Sequence, residues 1–139
     1  MTRPTPTPGL VAAVALGGAL GALGRWAVGE LTPPSPGFPW ATLAVNVAGT
    51  LLLALLPAVP LVRRRPALPL FLGTGVLGGF TTLSAYAEES RSMLADGSTG
   101  PALAYLVGTL LACVAAVHLG HHFTDRAERA AFAEAEGDE

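Results

Sequence analysis

With 139 residues, 51% of them hydrophobic and only 13% charged, the chain has a mean hydropathy of +0.52. A soluble domain carries roughly a quarter charged residues, so composition places this one in a membrane and leaves no room for an ordinary soluble enzyme. The formal net charge of −2 says little about partners and no basic surface suggests nucleic acid, while the lone Cys113 excludes an intrachain disulfide or a cysteine-based metal cluster.

Four apolar segments follow in chain order: Gly9 to Val28, Trp40 to Pro60, Leu68 to Leu94 and Pro101 to His122. Each is near the ~20 residues that cross a bilayer as a helix. The first is too long for a signal peptide, and Arg25 and Glu30 stand where a small-residue cleavage site would be. Gly17, Gly21 and Gly24 lie nearly on one stripe of it, a spacing that lets helix backbones approach closely. Arg25, near its end, serves either to anchor the helix at the interface or to draw anions into a vestibule. Pro33, Pro34, Pro36 and Pro39 make the first connector a stiff turn that sets the start of the second helix.

On the second segment Thr42, Asn46 and Thr50 recur every four residues and share one helical face. The threonines fit either interhelical hydrogen bonds or a polar path. Asn46 brings two amide donors to mid-membrane, and an anion path would use them in place of lost water. After the arginine connector, Arg63 to Arg65, the third segment carries GTGVLGGFTTLSAYAEE over residues 73–89. These glycines and threonines predict a helix broken near its middle. Lipid cannot satisfy the backbone groups a break exposes, so it must lie in protein, beside an ion, or against a water-filled path. Asp96, Gly97, Ser98 and Gly100 form most of the third connector. On the fourth segment Thr109 and Cys113 add a weakly polar stripe, and His118, His121 and His122 stand at its end without a carboxylate or thiolate spaced to complete a metal site. The expected fold is therefore all-α. Residues 1–122 form a four-helix transmembrane domain, and residues 123–139 an acidic tail that is solvated or loosely helical.

Four spans put both termini and the second connector on one side, with Arg3, Arg63, Arg64, Arg65, Arg126 and Arg129; Arg25 and Arg91 belong to the other. The positive-inside rule then places both termini in the cytoplasm of a multi-pass plasma-membrane protein.

The pieces GGALGALGRW (17–26), ATLAVNVAGT (41–50) and GTGVLGGFTTLSAYAEES (73–90) together resemble the CrcB/Fluc fluoride channel family. VNxxG followed at the proper distance by GGFTTxS is the specific part of the match. The resemblance implies an antiparallel, dual-topology-type dimer of four-helix subunits enclosing two narrow fluoride pores, and no enzymatic activity. Carried over by position, Asn46 would donate hydrogen bonds in the pore, and Thr82 and Ser84 would add hydroxyls beside the fluoride path. Thr109 is the match on the fourth helix, and Glu88 would sit toward one end with Arg25 in a vestibule. The backbone carbonyls of Gly78 and Thr81, paired with their counterparts, would hold a structural sodium ion at the dimer centre. With no nucleotide site and no mid-membrane carboxylate placed for proton coupling, passive fluoride exit is the expected activity, lowering fluoride toxicity.

One departure matters. Where the family reads TTFSTF, this chain reads TTLSAY, with Leu83 and Tyr86 at the two aromatic positions. Leucine lacks the electropositive ring edge an aromatic would present to fluoride. Phe80, two residues before Thr82, should point elsewhere. The arginine bias and the loss at Leu83 together suggest half of a heterodimer, with a homologous partner of opposite orientation supplying intact aromatics. Two rivals stand beside this: a non-conducting or assembly subunit, and a small multidrug-type transporter. The second would need a membrane-embedded carboxylate in the first span, and Glu30 lies too near its end.

Overall fold

The computed structural model describes residues 7–33 and 37–137, with side chains through Arg126. Pro34 and Pro36 of the first connector, Arg3, and the side chain of Arg129 lie outside the described residues. The described chain is all-helical, and four of its helical stretches are long and apolar enough to cross a membrane: Pro8–Leu31, Trp40–Ala58, Pro69–Ala95 and Thr99–Arg126.

Helix α1, Pro8–Leu31, starts with proline at its first position, where the missing N–H costs nothing. Gly37, at φ +88°, turns the chain into α2, Trp40–Leu55, and a 3₁₀ turn, Leu56–Ala58, closes the second span. A short helix, α3 (Pro60–Arg64), carries two of the connector arginines in its last turn.

The third span is built in two halves. It begins as a π-helical segment, Pro69–Leu77, continues into the single turn α4, Gly78–Phe80, and then stops. Thr81 (φ −72°, ψ 156°) and Thr82 (φ −147°, ψ 117°) are fully extended, and α5, Leu83–Ala95, resumes beyond them. The break expected from the glycine–threonine motif is therefore real and two residues long. Gly97, at φ +78°, makes the turn into α6, Thr99–Gly137.

Helix α1 packs along the first half of the third span, while α6 packs against α2 and α5. Small residues make the first contact possible. A Cβ on Gly17 would collide with the Phe71 carbonyl, one on Gly21 with the Val76 carbonyl, and one on Gly79 with the Gly18 carbonyl. Gly24 differs: its Cβ would meet only the Phe80 ring, at an ordinary 3.6 Å. The Phe80 ring lies between Gly24 and Gly49.

Helix α6 does not stop at the expected end of the membrane domain. Thr124 is buried and donates to the Ala54 carbonyl at 3.1 Å, and the helix continues to Gly137. Its 39 residues amount to roughly 58 Å at 1.5 Å per residue, nearly twice the ~30 Å hydrocarbon core.

Candidate functional site

The two extended residues leave backbone groups that a helix would have paired internally, and Asn46 meets two of them. The Thr82 N–H donates to Asn46 Oδ1 at 2.8 Å, and Asn46 Nδ2 donates to the Thr82 carbonyl at 3.0 Å. One side chain thus pairs with one residue's backbone as a neighbouring strand would. Magnitude decides how to read this. An interhelical hydrogen bond in a membrane is worth about 0.6 kcal/mol on average, but an unmet backbone group in hydrocarbon costs several. Asn46 is therefore first a requirement of the break itself. Its amide has two protons, and only one is taken by Thr82.

Thr82 also caps α5. Its Oγ1 accepts the Ala85 N–H at 3.1 Å and lies 3.2 Å from Ser84 Oγ, the arrangement of an N-cap threonine. The N-terminus of α5, with its partial positive charge and free N–H groups, therefore lies inside the membrane span. Beside it is a cavity of about 250 Å³ lined by Asn46, Thr50, Thr81, Thr82, Leu83, Tyr86, Thr109, Leu110 and Cys113. Thr109 is only 4% exposed, and its Oγ1 has no hydrogen-bond partner. The Tyr86 hydroxyl does have one, donating to the Leu106 carbonyl at 2.7 Å, which leaves its ring as the cavity wall. Leu83 sits at the rim, 78% exposed, facing out of the subunit.

The other end of the break has the opposite polarity. A continuous helix would aim the Thr82 and Ala85 N–H groups at the carbonyls of Gly78 and Thr81, but they are engaged by Asn46 and by Thr82 Oγ1. Gly78 and Thr81 both line a second cavity, about 480 Å³, together with Thr50 and Thr74. Carbonyl and hydroxyl oxygens are the donor set a hard monovalent cation takes. The Gly78 and Thr81 pair fits a sodium ion in donor type.

The vestibule residues divide. Arg25 is half-buried; its Nε lies 3.4 Å from the Gly79 carbonyl, and it borders a cavity shared with Glu30, Thr42 and Thr82. Glu88 faces outward and pairs with Arg91 through both guanidinium contacts, at 2.8 and 2.6 Å. The inward carboxylate is its neighbour, Glu89. Its two oxygens accept hydrogen bonds from the Thr42 and Tyr105 hydroxyls, each at 2.7 Å, and Tyr105 is fully buried against Phe38 and Tyr86. A carboxylate thus does sit within the packing of the third span, nearer its outer end than the break. Thr82, Tyr86, Glu89 and Met93 recur at helical spacing, and that stripe was the available signal for choosing Glu89 over Glu88.

Four apolar spans, one broken beside a cavity that carries amide and hydroxyl groups, with a helix N-terminus on one side and carbonyl oxygens on the other, define a multi-pass membrane protein. Comparison with known proteins gives the family. Residues 12–121 match the model described as CrcB-like protein, Camphor Resistance (CrcB). A Streptomyces coelicolor protein named fluoride-specific ion channel FluC 1 is 49% identical over 114 residues, which cover 79% of this chain and 73% of that one. FluC 2 of Nocardia farcinica is 44% identical over 121 residues, covering 84% and 86%. FluC of Agrobacterium fabrum is 43% identical over 116 residues, covering 79% and 91%. The chain belongs to the CrcB family.

Proposed function

We propose that the chain is a subunit of a fluoride-selective passive channel, in keeping with the activity named for its relatives. One observation carries the reading: hydrogen-bond donors without protein partners converge on the mid-membrane cavity. They are the second Asn46 amide proton and the orphaned Thr109 hydroxyl, both on residues that line it. Fluoride is small and firmly hydrated, so it enters a path only where close donors replace its water. Thr82 and Ser84 supply adjacent hydroxyls, and the tethered Tyr86 offers a ring edge. Arg25 holds positive charge near the break. A negative-inside potential drives anions outward through such a path, and fluoride export follows.

The assembly belongs to the same proposal. Two subunits packed antiparallel would set two Gly78–Thr81 carbonyl pairs around one sodium ion, whose charge would favour anions on either side. Leu83 faces out of its own subunit, so an aromatic missing there is missing from a surface that only a second subunit can wall. Together with the arginine bias this favours a partner of opposite orientation, with both termini of this chain cytoplasmic. Leu83 also supports the second reading, a silent assembly subunit.

Fluoride efflux from liposomes, with chloride as control, separates these readings. Efflux from this chain alone establishes a self-sufficient channel and ends the obligate-partner reading. Efflux only with a homologous chain of inverse arginine bias establishes the heterodimer. The absence of efflux in both cases leaves the chain non-conducting and overturns the proposal.

A further inference from the structure

A fourth span ending at His122 would leave three histidines on the last turn of a helix. In the structure α6 runs on without a break, so His118, His121 and His122 lie inside a continuous helix. That stretch is also held in place. A Cβ on Gly120 would meet Ala54, and the Thr124 hydroxyl donates to the Ala54 carbonyl at 3.1 Å. His118 and His122 occupy the opposite side of the helix. They are about 40° apart around its axis and straddle the line facing away from Gly120. Both are exposed, and neither imidazole hydrogen-bonds to another described residue. Four residues is the spacing at which a helix presents two histidines to one metal ion. His121 is turned about 100° from His122, toward the flank of the packed face.

Depth fits the pair as well. At 1.5 Å per residue, His118 and His122 stand roughly 14 and 20 Å along α6 from Thr109, which lines the mid-membrane cavity. Half of the hydrocarbon core is about 15 Å, so the two imidazoles reach its aqueous edge. We propose that His118 and His122 form a binding site for a borderline divalent metal ion such as zinc(II). Each supplies one ring nitrogen. Water fills the ion's other positions, because among the described residues no three possible ligands gather at one point. A single exposed histidine holds such an ion weakly; a second on the same pinned face adds its bond without first being brought there. The site lies apart from the candidate anion path and stands whether or not the chain conducts fluoride.

The test uses the full chain in detergent, free of any affinity tag. Zinc(II) chloride is titrated by calorimetry, and the histidines are mapped by diethylpyrocarbonate labelling read by peptide mass, with and without zinc. Saturable binding in the micromolar range is expected, with His118 and His122 shielded from the label and His121 still reactive. H118A and H122A should each weaken binding by about tenfold or more, and H121A by less than about twofold. The footprint on the unaltered chain decides the site even where a variant fails to fold. No saturable zinc binding overturns the proposal. So does binding that survives the H118A/H122A double substitution, which would place the ion elsewhere, the acidic tail included. Shielding of His121 equal to that of the pair, or an equal loss in H121A, overturns it too.

Discussion

Asn46 has two roles that one substitution removes together. Asn46→Ala strips the partners from the Thr82 N–H and carbonyl and takes a donor from the cavity. Each buried backbone group left unmet costs about 1–3 kcal/mol, so the variant should lose thermal stability in detergent as well as fluoride efflux. Normal melting with lost efflux would assign Asn46 to the path alone, and undiminished efflux would remove it from the site. At this scale the sequence was legible where residue type alone mattered: an amide at mid-membrane needs partners, whatever they prove to be. It did not disclose that the partner is the backbone of Thr82, because nothing in a spacing of 36 residues marks which turn of one helix faces a break in another. The neighbouring glutamates show the same limit. Glu88 and Glu89 differ by about 100° around α5, and only the packing of Tyr105 and Thr42 shows which one turns inward.

Among the elements, the glycine stripe of α1 was visible as a pattern, but its members are not equivalent. Gly21 meets the backbone of Val76, which cannot yield, while Gly24 meets a ring edge at 3.6 Å. Gly21→Ala should therefore destabilise the bundle by about 1–3 kcal/mol or prevent its assembly, while Gly24→Ala should be nearly neutral; size-exclusion profiles after stepwise heating compare the two. Equal behaviour would mean that α1 can slide against the third span. The break itself could be read from GGFTT because glycine and β-branched threonine both weaken a helix interior. The π geometry upstream could not; it lies where α1 and the third span press together at Gly17 and Gly75.

For the whole molecule, the arginine distribution carries the proposed orientation in the membrane, and with it the proposed partner. Arg63, Arg64 and Arg65 lie in one short connector, where such charge acts most strongly on topology. Replacing all three with Gln should move the chain from one insertion orientation toward both, read by a C-terminal reporter that is active on only one side. Retention of a single orientation would show that the remaining arginines suffice and would weaken the charge argument for a dedicated partner. The four-span architecture was legible from composition and length, since apolar runs near 20 residues have few alternatives. The continuation of α6 past the membrane was not, because its alanine-rich, charged end is equally compatible with a frayed tail.

The wide turns at the start of the third span also bear on how such a chain can change length over evolutionary time. A π-helix can be regarded as an α-helix that has absorbed an additional residue without losing its axis. A single-residue deletion within Pro69–Leu77 has a natural resolution, which is to tighten the segment to α geometry while Thr81 and Thr82 keep their place beside Asn46. The same deletion between Leu83 and Glu89 has none, because it would rotate Glu89 away from Thr42 and Tyr105. A residue lost near Pro69, ahead of the Phe71, Gly75 and Val76 contacts with α1, is thus absorbed before it reaches Thr81 and Thr82.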